Sequence, residues 1–292
     1  MRSFIYLLLL TLPFFISDSS YAQNKIAYLT NESGNFDIFI IDENGNNKQQ
    51  LTTNKGWDWS PKWNAELQAI IYNSNDTLNK FSIKLISING TEKKLDTKGM
   101  EEFILSPNGT KVLYTLKDNN NRYIGVFDLV KSTNRLLVSN PSYNGRPDWS
   151  PNGDYFSFIS DRDGNNELYV YDFKKAASKR LTNSKKSEKY TSWMPDSRAI
   201  VYTYHYSDER NNEHNDIFSV NLKTNKKNQI TNNEKFYQEI DVSPDGKKIV
   251  FHAKRNSKDQ LYTIDISGKN EKQITTSQAY HGEPEWVSIK KQ

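Results

Sequence analysis

Hydrophobic positions recur along this chain with a repeat of about 44 residues. Aligned on one bulky apolar residue, the copies are Trp63, Leu105, Trp149, Trp193, Val242 and Trp286, spaced 42, 44, 44, 49 and 44 residues apart. Nine residues beyond each of the first five stands an aromatic: Tyr72, Tyr114, Phe158, Tyr202 and Phe251. A third register is an aliphatic that ends a short β-rich run: Leu51, Leu95, Leu137, Leu181, Ile230 and Ile274. Three registers kept in step through six copies mark a repeat architecture.

Between anchor and aromatic lies a turn, as in Ser106-Pro107-Asn108-Gly109, Ser150-Pro151-Asn152-Gly153, Met194-Pro195-Asp196-Ser197 and Ser243-Pro244-Asp245-Gly246. Proline fixes φ at the first corner, and Asn or Asp followed by Gly permits positive φ at the next. Lys248-Ile249-Val250-Phe251 then reads as a strand, and Glu167 to Asp172 alternates as another. Each unit is thus four antiparallel strands, the size of one propeller blade. The chain enters at Lys25-Ile26-Ala27-Tyr28, in the second strand of a unit, and stops after Pro284-Glu285-Trp286-Val287, the first strand of one. The expected fold is all-β: a six-bladed β-propeller of four-stranded antiparallel blades. One blade is closed by the C-terminal strand beside N-terminal strands, which leaves no open edge in the ring.

The first residues change the domain picture. Arg2 followed by the apolar run Phe4 to Ile16 and then Ser20-Tyr21-Ala22 has the layout of a signal peptide cleaved after Ala22. The expected organisation is a signal peptide over 1–22 and a single propeller domain over 23–292, exported to the periplasm or secreted. The apolar run is short for a membrane span. With no cysteine, stability in an oxidising compartment must come from the core and not from disulfides. Net charge is +4, from 39 basic and 35 acidic residues that are interspersed, which does not suit a nucleic-acid binder.

Three signatures carry a family resemblance: Pro147-Asp148-Trp149-Ser150-Pro151-Asn152-Gly153, Ser160-Asp161-Arg162-Asp163-Gly164 and Arg180-Leu181-Thr182. They resemble the TolB-like propeller repeat along the whole chain after residue 22. The first unit departs from the pattern, because Trp63-Asn64-Ala65-Glu66-Leu67 has neither the Pro nor the Gly of the turn. The resemblance implies the fold. It extends to propellers that gate prolyl-peptidase-like hydrolases and to oligogalacturonate lyases, so it leaves function open. The chain has no Gly-x-Ser-x-Gly, no phosphate-cradling glycine loop and no His-Glu-x-x-His.

Propeller topology puts the inter-blade connections, and the turns between the second and third strands of each blade, around one mouth of the channel. Candidate binding residues there are Trp57, Asp58, Trp59, Arg146, Tyr190, His205, Tyr237, Glu239, His281 and Glu283. Trp57 and Trp59 flank Asp58 and would either stack on a sugar or grip a peptide, or one would plug the mouth. His205, His252 and His281 are the candidate metal ligands, since the resemblance to oligogalacturonate lyases implies a divalent metal held by histidines at the mouth. No cofactor is expected beyond such a divalent cation in the central channel. The segment from His205 to Asp216 is longer than its counterparts and reads as an extended loop. Asp161 to Asn165 reads as a hairpin turn, because the bidentate Glu of a calcium loop is missing. The leading expectation is a non-catalytic scaffold for an envelope or extracellular protein or peptide. The alternatives are a metal-dependent lyase acting on acidic glycans and a glycan or small-ligand binder.

Overall fold

A computed structural model describes residues 23–78, 80–95, 101–207, 210, 213–232 and 235–290. The signal peptide expected over 1–22 lies outside the described residues. The strands follow one another as β1 (Gln23–Thr30), β2 (Asp37–Asp42), β3 (Gln49–Gln50), β4 (Asp58–Asn64), β5 (Ala69–Asn75), β6 (Phe81–Ser87), β7 (Glu92–Leu95) and β8 (Glu101–Leu105). They continue as β9 (Lys111–Asp118), β10 (Asn121–Asp128), β11 (Thr133–Val138), β12 (Asn144–Trp149), β13 (Tyr155–Ser160), β14 (Glu167–Asp172), β15 (Ala177–Arg180) and β16 (Ser187–Trp193). The last are β17 (Ala199–Ser207), β18 (Glu213–Asn221), β19 (Lys227–Gln229), β20 (Gln238–Val242), β21 (Lys248–Arg255), β22 (Lys258–Asp265), β23 (Lys272–Gln273) and β24 (His281–Ile289).

Six four-stranded antiparallel sheets form the ring. The first has the order β24-β1-β2-β3, and the others take four consecutive strands each. Pairing of β24 with β1, Trp286 opposite Ile26 and Gln23 opposite Ile289, joins the two ends of the chain in one blade. Among the described residues no helix is long and apolar enough to cross a membrane.

The repeated aromatics are the blade-to-blade core. Tyr28, Tyr72, Tyr114, Phe158, Tyr202 and Phe251 are all buried, and side chains of neighbouring blades pack around them. The threonine after the repeated Leu or Ile has a structural task. Thr52, Thr182, Thr231 and Thr275 each accept, through Oγ1, a backbone N–H of their blade's third strand, at 2.8–2.9 Å. The turns hold as their chemistry requires: Gly153 N–H donates to Ser150 O at 2.8 Å with Gly153 at φ +74°. In the divergent first unit Asn64 replaces that chemistry, its Oδ1 accepting from Leu67 N–H at 2.9 Å.

Two expectations need correction. The mouth residues expected on inter-blade loops lie mostly on the innermost strands themselves. The long segment after His205 is an extension of a hairpin, with β17 and β18 paired out to Ser207 opposite Glu213, because alternating Tyr204, Tyr206 and His214 stack along it.

Candidate functional site

All six innermost strands bulge just before the anchor, three to two residues ahead of it in five blades and one residue earlier, at Lys189 and Tyr190, in the fifth. The unpaired step admits a proline in Pro61, Pro147 and Pro284, which a regular ladder would exclude. It also turns the preceding residue into the left-handed region in five blades: Ser60 at φ +53°, Glu102 at +45°, Arg146 at +54°, Glu239 at +47° and Glu283 at +49°. Such a conformation costs a non-glycine residue on the order of 1–3 kcal/mol and clusters at functional sites. These five and Tyr190 line a cavity of about 330 Å³ that opens along the bore.

Backbone bonds between blades hold the strain in place. The Glu283 N–H donates to Glu239 Oε2 at 2.7 Å, the Ser60 N–H to Glu283 Oε2 at 2.5 Å, and the Arg146 N–H to Glu102 Oε2 at 3.1 Å. Deeper in the bore stands a second ring, the residues just before the anchors. Lys62 meets Glu285 at 2.8 Å, while Asp241 accepts the Trp286 N–H at 2.7 Å and the Ser192 hydroxyl at 2.7 Å. Burial pushes the Asp148 carboxyl up to about 7, against the pull of Lys62. Burial and the charge of Glu285 raise Asp241 as well. Burial works against the Lys62 ammonium, yet Glu285, Asp148 and Asp241 together hold its pKa above the ordinary lysine value.

The face on which the innermost strands begin carries an aromatic run. Trp57 is 56% exposed and sits edge-on to Phe36, 5.6 Å between ring centres; Phe36 meets Tyr280 in the same way at 5.7 Å. Trp59 leans on Phe81, itself 42% exposed, at 6.0 Å. Gly56 makes room for this: a Cβ there would stand 2.0 Å from the Asn75 carbonyl oxygen, so only glycine lets the chain pass and present Trp57. Trp57 therefore does not plug the bore.

The other expected site residues divide into two sets. Arg146, Tyr190, Glu239 and Glu283 come together in the bore. Arg146 stacks on the Tyr190 ring at 4.6 Å, and burial with the nearby Glu239 charge pushes the Tyr190 phenol up to about 12. Asp58 and Tyr237 do not reach it. Asp58 is buried in a seam beside Asn54, and burial raises its carboxyl. Tyr237, expected at the mouth, is fully buried: a bridge between Phe236 and Asn215 turns it inward against Phe251, 4.8 Å away.

Nor are the three histidines brought to one point. His205 pairs with Glu213 at 2.5 Å and Asn215 at 2.9 Å. His252 lies between Glu239 (3.3 Å) and Asp259 (3.1 Å); burial opposes its charge, but these two carboxylates outweigh it and raise its pKa. His281 is buried against Tyr28 and faces Glu32 at 3.2 Å, and there burial prevails and lowers its pKa. Each imidazole thus has carboxylate partners of its own. Among the described residues no three His, Asp or Glu side chains are placed to hold a metal ion. The reading from sequence missed Lys62, Lys189, Phe36, Phe81 and Tyr280.

Residues 195–289 match the family model of the dipeptidyl peptidase IV N-terminal region. The chain is 28% identical to dipeptidyl-peptidase 5 of Porphyromonas gingivalis over 190 residues, 57% of this chain and 26% of that protein. It therefore spans about a quarter of that relative's length. Among solved structures, TolB from Acinetobacter baumannii superposes with a TM-score of 0.76 at 22% identity, covering 91% of this chain and 67% of that one. Oligogalacturonate lyase from Vibrio parahaemolyticus gives 0.59 at 15% identity, covering 85% and 73%. These likenesses establish the fold, a TolB-like six-bladed propeller, which is shared by peptidases and lyases alike.

Proposed function

We propose that this chain is an exported, non-catalytic module that grips a segment of another protein at the mouth of its bore. The carrying observation is the aromatic run Tyr280–Phe36–Trp57 with Trp59–Phe81, half-buried except at the exposed Trp57 and Phe81, which crosses from the first blade to the second beside an open cavity. Rigid aromatic rings supply large contact area at low entropic cost, and tryptophan and tyrosine are over-represented among residues that dominate binding energy. Export rests on the pattern of residues 1–22 alone. The TolB-like fold agrees with a binding role without requiring one.

The test uses the full chain immobilised against envelope extract, beside the double variant Trp57→Ala, Trp59→Ala. A defined protein retained by the natural chain and lost from the variant, with unchanged melting, is the expected result. Equal retention by both, or turnover of a defined substrate by the purified chain, refutes the proposal.

A further inference from the structure

Between the fourth blade (β12–β15) and the fifth (β16–β19) lies a second pocket of about 200 Å³, lined by Tyr143, Arg146, Ser187, Lys189, His205 and Phe236 among others. Two cations flank one ring there: the Arg146 guanidinium at 4.6 Å and the Lys189 ammonium at 5.2 Å from the centre of Tyr190. Burial and the proximity of Arg146 lower the Lys189 pKa, and the Glu239 charge offsets them only in part. Among the described residues neither cation makes an ion pair, although carboxylates are near. Those carboxylates make their closest contacts with other groups. Glu102 serves Arg122 at 3.6 Å and the Arg146 N–H, Glu239 serves His252 and the Glu283 N–H, and Glu188, in the pocket wall, is held neutral by burial beside Glu167. Both side chains are exposed, so water reaches them, but two positive charges set on one ring without an ion-pair partner form a site that a carboxylate would complete.

We infer that this pocket is a carboxylate-binding subsite, and that it takes an acidic side chain of the bound peptide whose basic neighbour faces Glu239 and Glu283. The inference rests on the peptide-binding reading above and specifies its ligand. The Arg146 fork and the Lys189 ammonium match a carboxylate, and the rings of Tyr143 and Phe236 can cover its methylene stem. Arg146 lines both the pocket and the bore, so one ligand can reach the two. The next two blades present Glu239 and Glu283, the opposite sign, within the same mouth. A peptide carries acid and base within a few residues, whereas a polyuronate chain carries only the acid. Charge complementarity therefore favours the peptide.

A displayed library of random twelve-residue peptides, selected on the full chain at low salt, tests this. The expected result is an Asp or Glu at a fixed distance from a Lys or Arg. A selected peptide should weaken about tenfold or more with Arg146→Gln and with Lys189→Gln, the scale of one lost charge-assisted contact. Its basic position should stay selected in both variants, and a galacturonate trimer should not compete. Selected peptides without an acidic position, or affinities unmoved by either variant, overturn the subsite while leaving peptide binding intact. Competition by the trimer overturns the peptide assignment, and a library that yields no binder removes both readings.

Discussion

Replacing Glu188 with glutamine probes a closed seam between the fourth and fifth blades. Glu188, at the start of the fifth blade, and Glu167, in the fourth, are both buried, and one oxygen of each, Oε2, has no hydrogen-bond partner. Two acceptor oxygens left over in a closed seam are what a shared proton would satisfy. Glu167 is the ionised partner. Burial opposes its charge, but Thr182, the Ser184 N–H and Arg180 (2.8 Å) outweigh it and hold its carboxyl below the ordinary range. Glu188 carries the proton: burial first, then the Glu167 charge, pushes it from 4.5 up to about 8.

A carboxyl whose pKa is higher folded than unfolded makes the folded state bind more protons, so its contribution is intact below pH 4.5 and withdrawn as pH rises through about 8. At about 1.36 kcal/mol per unit, that interval corresponds to roughly 5 kcal/mol. Glutamine keeps the shape, has an N–H to offer Glu167, and cannot ionise. Asp148 and Asp241 lose stability over a similar interval in both proteins, so the difference between variant and natural chain isolates Glu188. Thermal melts should nearly coincide at pH 5. At pH 9 Glu188→Gln should melt higher by about 10 °C, at roughly 2 °C per kcal/mol for a domain of this size. An offset that is the same at both pH values, or a variant less stable at pH 9, refutes the shared proton.

Lys62→Met leaves Asp148, Asp241 and Glu285 facing one another. It should cost about 2 kcal/mol in chemical denaturation, reduced from the ~3–5 of a closed ion pair because Lys62 keeps 42% of its side-chain surface open to the bore, and the loss should grow above pH 7. At Arg146, with φ of +54°, glycine should be more stable than alanine by about 1 kcal/mol, the reverse of the usual order in a strand; alanine equal or better would deny the strain. Thr182→Val orphans the Leu168 N–H and should lower stability by about 2 kcal/mol in urea unfolding.

The architecture was legible because core packing demands bulk at fixed intervals: an anchor, an aromatic nine residues on and an aliphatic before both cannot drift without opening a seam. The site was legible only in part. Lys62 reads as a surface lysine, since sequence does not reveal that its neighbour Trp63 points into the blade seam and so turns Lys62 toward the bore. Tyr237 has the composition of a mouth residue, and only a bridge to a distant strand, Phe236 to Asn215, sends it into the core. The bulges were hidden because Glu102, Arg146, Glu239 and Glu283 carry none of the glycine that usually announces positive φ; inter-blade bonds impose that conformation. The length of the segment after His205 was visible, while its continuation as a paired hairpin depended on Tyr204 stacking against Tyr206.

Those same bonds shape what the mouth can vary. Glu239 and Glu283 face the bore and also receive backbone N–H groups from the next blade, so changing either alters the ring along with any ligand contact. Arg146 and Lys189 differ. Their side chains rest on Tyr190 and, among the described residues, bond no backbone across a seam. Substitution there changes the charge offered to a ligand while the blade-to-blade bonds stay in place. Affinity and stability should therefore separate at Arg146 and Lys189 and fall together at Glu239 and Glu283. Melting temperatures of Lys189→Gln and Glu239→Gln, measured beside their peptide affinities, decide it: equal loss of stability in the two would show that the basic pair belongs to the scaffold and not to the ligand.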